Sequence, residues 1–346
     1  MHLLIYGHNG WIGSQFIQLL KNYSFSCTEG DLGEAACRSA VDLGAADVEK
    51  DSYTLGYARV DDTSTLLKEL DTVLPSHVIS FIGRTHGTIG DRVYTTIDYL
   101  EQPGKLVENI KDNLFSPISL ALACSVRKIH YTYLGTGCIF TYRDASFGLR
   151  DRFSLRPPSG SGAVGDSVTQ ASLHVVATAT KFTEEDLPNF FGSGYSIVKG
   201  FTDRLMHQLS DNVLNLRIRM PIVAEDCPRN FITKITNYKK ICSMQNSMSV
   251  LPDLLPIALD MLKSGKVGTV NLTNPGVISH NEILEMYKEY VDNSFTWENF
   301  NQEEQRQILA CDRSNNSLDT HVLQTFAPYI KNIKDSVREL LQNYKK

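Results

Sequence analysis

The chain has 346 residues, enough for one large or two ordinary domains with proper cores. Its 39 acidic and 34 basic side chains leave a net charge of -5, which argues against a general electrostatic grip on nucleic acid. No apolar run approaches the roughly 20 residues that cross a bilayer, and the first residues lack the basic stretch and cleavage site of a secretory signal. Seven cysteines, an odd number without zinc-ligand spacing, fit reduced thiols. A cytoplasmic protein with no resident metal is expected.

Residues 1–6 form an apolar run, followed at once by Gly7-His8-Asn9-Gly10-Trp11-Ile12-Gly13 and an amphipathic stretch to Leu20. This order predicts strand, glycine turn and helix. Gly7 and Gly10 let the backbone approach a ligand, Gly13 lets the helix pack on the strand, and the free amides at the helix start face a pyrophosphate. The spacing is GxxGxxG rather than GxGxxG, and an ordinary glycine-rich turn is the plain alternative. Residues 27–50, rich in Ala, Gly and acids, read as an inserted surface loop and leave the next strand in two registers. If residues 53–58 are the strand, Arg59 meets the 2′-phosphate of NADPH; if residues 24–27 are, Asp31 favours NADH.

A helix over 65–70 leads to a strand over 78–82, whose end carries Phe81, Ile82 and then Gly83-Arg84-Thr85-His86-Gly87. A helix over 104–123 leads to a strand over 129–134, which ends at Thr136-Gly137-Cys138. Residues 150–180, rich in Ser, Gly, Ala and Pro, read as a second inserted loop that emerges near the pocket. A strand over 213–218 ends at Met220-Pro221. Alternating strands and helices predict an α/β fold, a Rossmann-type doubly wound parallel sheet whose ligands sit at the strand carboxyl ends. Trp11 and Ile12 are expected to pack around the cofactor turn. Past Pro221 the pattern changes to helices with short strands such as 270–272, and Ser279 with Glu282 has capping-box spacing. A cofactor domain over 1–219 and a smaller substrate-binding lobe over 220–346 are expected, with an approximate boundary.

Tyr195 has a lysine, Lys199, one helical turn later, so phenol and ammonium share a face. A nearby ammonium lowers a phenol's pKa and makes it a usable proton donor to a carbonyl being reduced; lysine also suits the ribose of a nicotinamide cofactor. The Thr136 hydroxyl can hydrogen-bond the same carbonyl. With the glycine turn, this set resembles the extended short-chain dehydrogenase/reductase superfamily, with Thr136, Tyr195 and Lys199 on its catalytic positions.

Longer stretches narrow the resemblance. Gly137-Cys138-Ile139-Phe140, Arg219-Met220-Pro221-Ile222, Pro228-Arg229-Asn230-Phe231-Ile232-Thr233-Lys234, Thr273-Asn274-Pro275-Gly276-Val277 and Arg313-Ser314-Asn315-Asn316 are similar to the bifunctional 3,5-epimerase/4-reductases of nucleotide-rhamnose synthesis, known in plants. Gly83-Arg84-Thr85-His86-Gly87 resembles a giant-virus form. The resemblance implies a nucleotide-sugar substrate, a 4-keto-6-deoxy-D-glucose carried on UDP or dTDP, whose ketone acidifies the protons at C3 and C5. Cys138 then suits the base that removes those protons, an uncharged thiol also being able to donate, and Lys234, with a depressed pKa, is implied as its acid/base partner on the opposite face of the sugar. Pro221, Phe81, Ile82 and Gly83 are implied beside the cofactor, and Arg84, His86, Asn230, Arg313 and Asn315 beside the substrate. Arg84, Arg229 and Arg313 compete for the phosphates. Plain alternatives stand: Cys138 as a buried structural thiol, Lys234 as a solvated surface charge and His86 as a satisfied loop histidine. Two other functions share the pattern, a reductase alone or a GDP-fucose-synthase-like enzyme, and a non-catalytic regulatory subunit. A homodimer is expected from the fold.

Overall fold

The structure, a computed structural model, describes residues 1–28, 51–142 and 181–345. The two insertions read from the sequence fall almost wholly outside those residues, as does Asp31. The first half runs β1 (His2–Tyr6), α1 (Trp11–Asn22), β2 (Ser26–Cys27), β3 (Ser52–Leu55), α2 (Thr63–Val73), β4 (His77–Ser80), a hairpin of β5 (Gly87–Ile89) and β6 (Arg92–Tyr94), α3 (Leu106–Ile110), α4 (Ser116–Val126) and β7 (His130–Thr136). The second runs α5 (Gly194–His207), β8 (Val213–Ile218), β9 (Pro221–Ile222), α6 (Phe231–Thr236), β10 (Lys240–Ile241), β11 (Ser249–Val250), α7 (Leu251–Lys263), β12 (Gly268–Asn271), α8 (His280–Tyr290), β13 (Glu298–Asn299), α9 (Gln302–Ile308), α10 (His321–Phe326) and α11 (Ile333–Gln342).

Among the described residues, seven strands form one sheet in the order β12-β8-β7-β4-β1-β3-β2, with every pairing parallel. Strands such as β1 and β8 are buried on both faces, which is why they read as apolar runs rather than alternating ones. The strand order reverses between β1 and β4, so the crevice opens where Gly7 leaves one strand and Phe81 follows the other. One core packs α2 and α4 on one face of the sheet, around Leu4, Val78, Leu120 and Tyr131. Another packs α1 and α7 on the opposite face, around Leu3, Ile5, Phe16 and Leu255.

The strand over residues 270–272, expected in the C-terminal lobe, lies instead in the main sheet as β12, paired with β8. Its helix α7 covers the same sheet. A separate core joins β9, β11, α6, α8 and α11 through Ile222, Ile232, Val250, Ile283 and Val337. The chain therefore leaves the sheet at Pro221, returns for α7 and β12, and leaves again. Met220, at the first exit, holds φ at +41°, a left-handed backbone that side-chain-bearing residues seldom adopt.

The helix expected over 104–123 is broken. Residues Lys111–Phe115 form a π-helical turn between α3 and α4. The cause is Pro117: it has no amide to donate to the carbonyl of Asn113 four residues earlier. The hydroxyl of Thr202 on α5 takes that carbonyl instead, at 2.6 Å.

Candidate active site

The turn after β1 shows why it is glycine. Gly7 has φ +73°, and a Cβ there would lie 2.8 Å from the backbone of both Phe81 and Ile82. A Cβ on Gly13 would lie 2.4 Å from the Gly7 carbonyl oxygen, so α1 packs against the turn as closely as backbone allows. Gly10 is the N-cap of α1 and no acidic residue sits in its first turn, leaving amides free for an anion. Trp11, Ile12 and Phe81 pack against the core beneath. The cleft above has about 300 Å³ of open space, lined by Gly7, Gly10, Arg59, Ile82, Gly83 and Arg84 among others.

Strand β3 neighbours β1, so Arg59 follows the strand that meets the ribose end of a bound dinucleotide. Its guanidinium is 76% exposed and reaches Asp61 through Nε at 3.1 Å and Nη2 at 3.3 Å. Lys111 pairs with the same carboxylate, and together they hold Asp61 down to about 2. Arg84, expected at the substrate, lines this cleft instead and is tied to Asp112 at 2.5 Å.

Four of the expected residues converge on two elements. Thr136 closes β7, and its hydroxyl accepts the Cys138 amide at 3.0 Å. Ser193 caps α5 by accepting the Ser196 amide, Glu101 accepts the Gly194 amide at 2.8 Å, and the Ser196 hydroxyl donates to the Cys138 carbonyl at 2.7 Å. These bonds lock the first turn of α5, carrying Tyr195, to the Cys138 loop. Two turns further on, Asp203 takes a bidentate pair from the fully buried Arg217 of β8, Nε at 2.8 Å and Nη2 at 2.7 Å. Breaking such a pair from one side costs about 3–5 kcal/mol, so α5 sits in a fixed register on the sheet.

The direction expected for the Tyr195 phenol is reversed. Burial raises its pKa above the usual range, the nearby Cys138 raises it further, and a hydrogen bond with Thr136 opposes them. The phenol stands protonated, as a donor requires. Burial also depresses the Lys199 ammonium to about 7, with Cys138 acting the other way.

Lys234, on α6, is depressed to about 8, first by burial and then by the neighbouring Arg229, with Cys227 opposing. His86 is pushed down to about 4 by burial and then by Arg229, Arg84 and Lys234. Lys234 and Arg229 thus form a cationic corner that keeps His86 neutral, and Arg229 Nη1 is buried with no partner among the described residues.

Other expected substrate contacts are occupied internally. Asn230 is fully buried; its amide donates to the carbonyls of Val223 and Glu225 and its oxygen caps α6 at Ile232. These bonds aim the Arg229–Lys234 segment. Arg313 pairs with Asp98 at 2.6 Å, and the Asn315 oxygen accepts from Asn246. Pro221, expected beside the cofactor, pairs with Ser249 in the short β9–β11 ladder.

Two site residues escape a reading of the sequence. Asn113, in the π turn, is fully buried and clasps Arg84, accepting its amide at 3.0 Å and donating to its carbonyl at 2.9 Å. Pro117 was the available signal. Arg219 is a buried cation without a carboxylate partner among the described residues; it donates to the Asn246 side chain and the carbonyls of Asn316 and Ser314. Asn316 in turn donates to the Gly137 and Phe140 carbonyls, so Arg219 and the Arg313–Asn316 motif together brace the Cys138 loop.

No protein-family model matches the chain. It is 44% identical over 345 residues to an uncharacterized protein of Acanthamoeba polyphaga mimivirus, covering 100% of this chain and 99% of that protein. A bifunctional dTDP-4-dehydrorhamnose 3,5-epimerase/dTDP-4-dehydrorhamnose reductase of Arabidopsis thaliana is 36% identical over 337 residues, 97% of this chain and 91% of the relative. The crystal structure of a UDP-rhamnose synthase from Acanthamoeba polyphaga mimivirus superposes with a TM-score of 0.79 at 42% identity, covering 99% of both chains. Relatives this similar over nearly the whole length, on a Rossmann-type sheet carrying Thr136, Cys138, Tyr195 and Lys199 together, place the chain in the family of bifunctional 3,5-epimerase/4-reductases of nucleotide-rhamnose synthesis.

Proposed function

We propose that the protein converts a UDP- or dTDP-linked 4-keto-6-deoxy-D-glucose to the corresponding L-rhamnose nucleotide, by epimerisation at C3 and C5 and then reduction at C4. The observation that carries this reading is the union of the buried, protonated Tyr195 phenol with Thr136, which accepts the Cys138 amide, and with the Cys138 thiol packed beside Tyr195. A generic reductase needs the first two groups and has no use for the third. In the epimerase half the C4 ketone stabilises the carbanion left by proton removal at C3 or C5. The roles expected of the pair are exchanged in this reading: Lys234, easily deprotonated at about 8, serves as base on one face, and Cys138 returns the proton from the other. In the reductase half Tyr195 donates its proton to the C4 oxygen, while Thr136 stabilises charge on it.

A reduced nicotinamide cofactor supplies the hydride. The glycine turn, the free start of α1 and the cleft beside it fit the pyrophosphate of a dinucleotide. The exposed Arg59 guanidinium favours NADPH, because a 2′-phosphate can share or displace its Asp61 contact. Arg229 suits an anionic nucleotide-sugar, neutral His86 can donate a hydrogen bond beside it, and Arg84 lies on the cofactor side.

The deciding experiment incubates the protein with each 4-keto nucleotide in deuterated water, with and without NADPH. Deuterium at C3 and C5 without cofactor, and nucleotide-L-rhamnose with it, are expected. Absence of exchange sinks the epimerase half; absence of NADPH oxidation sinks the reductase half.

The active species is proposed to be a homodimer. Helices α3, α4 and α5 pack side by side and leave Val107 72%, Val126 83% and Phe201 60% exposed, with Leu122 and Leu205 beside them. Such an outward apolar face suits a second copy of the chain. Leu122→Glu with Phe201→Glu is expected to halve the mass measured by light scattering, and a monomeric wild type refutes the dimer.

A further inference from the structure

Tyr133 belongs to none of the stretches that carry the family resemblance. Its phenol oxygen nevertheless accepts a hydrogen bond from Lys199 Nζ at 2.6 Å, and its ring centre lies 4.9 Å from the same nitrogen. Lys199 is 5% exposed and Tyr133 1%. The strand β7 that delivers Thr136 delivers Tyr133 three residues earlier, and α5 delivers both Tyr195 and Lys199. On its other side the ammonium faces the cofactor cleft: a Cβ on Gly83 would lie 3.5 Å from Nζ and 3.3 Å from the Asn113 side-chain oxygen.

A lysine side chain has four freely rotating bonds, and a buried ammonium left without an acceptor swings or loses its proton. Burial holds the Tyr133 phenol well above its usual pKa, so it stays a neutral acceptor. Its ring adds a cation–π contact that outlasts loss of the hydroxyl. Among the described residues, Tyr133 is the hydrogen-bond acceptor of this ammonium.

We infer that Tyr133 is a positioning residue of the reductase half, holding the Lys199 ammonium at the floor of the cofactor cleft, beneath the Gly83 turn and one helical turn from Tyr195. The inference rests on the reductase reading of Tyr195 and Lys199. It assigns Tyr133 no contact with substrate.

The test is Tyr133→Phe in the full chain, which keeps the ring and its volume. Steady-state NADPH oxidation and cofactor-free deuterium exchange are measured side by side. Reduction is expected to lose about tenfold or more in kcat/KM, the usual scale for removing a hydrogen bond to a buried charge, with exchange at C3 and C5 retained. A double-mutant cycle sharpens it: in a Lys199→Ala background, Tyr133→Phe is expected to cost nothing further. Unchanged reduction, equal loss of reduction and exchange, or full additivity in the cycle each overturns the inference. A wild type that exchanges deuterium but never oxidises NADPH overturns the reductase reading instead, so the two failures are distinguishable.

Discussion

Tyr195→Phe is expected to lower NADPH-dependent reduction by about 100- to 10,000-fold, the range for a positioned general acid, while deuterium exchange at C3 and C5 continues. The geometry gives the reason. Tyr195 is buried and protonated, so removing its hydroxyl takes away the proton delivered to the C4 oxygen but no group proposed to touch C3 or C5. The ring remains, and the packing of Tyr195 with Tyr99 and Leu100 survives. Cys138→Ser is the complementary change: it stops exchange and leaves reduction of an already epimerised substrate. Product analysis by NMR on both variants checks the division, and equal loss of both activities from either change refutes it.

Lys234→Gln is expected to abolish exchange, and the wild-type exchange rate is expected to rise with pH up to about 8 and then level. The sign follows from the lysine's role as base. Only the neutral amine removes a proton, its fraction is about one-tenth at pH 7 for a pKa of about 8, and it grows tenfold per pH unit below that point. Arg229 is the second-ranked cause of the depression, after burial. Arg229→Gln therefore raises the Lys234 pKa, moves the rising limb to higher pH and slows exchange at pH 7, on the order of three- to tenfold. Exchange followed by mass spectrometry from pH 6 to 9 decides it; a limb that stays put excludes Arg229 as the tuning charge.

How much of the site was legible follows from what each residue's partner is. The turn at Gly7 is readable because a strand, a tight turn and a helix each impose a local pattern. So is the Tyr195–Lys199 pair, whose shared face is a property of one helix. Arg84, Asn230 and Arg313 are a different matter. All three looked available to a ligand, yet Asp112, the Val223 and Glu225 carbonyls, and Asp98 respectively engage them. No spacing in the chain reveals a partner 215 positions away.

The sequence by itself determined the class of sheet, the glycine turn, the strand over 213–218 and the residues fit for proton transfer, because these depend on local periodicity and side-chain chemistry. Only the tertiary structure decided how those residues are tuned. Burial under neighbouring elements raised Tyr195 rather than lowering it and brought Lys199 to about 7. Packing of α5 against the π turn gave the Asn113 carbonyl a donor that Pro117 had removed. It also set Tyr133 beneath Lys199 and returned β12 to the main sheet. Each of these outcomes is a matter of desolvation or of a partner distant in sequence, and neither is written in the neighbouring residues.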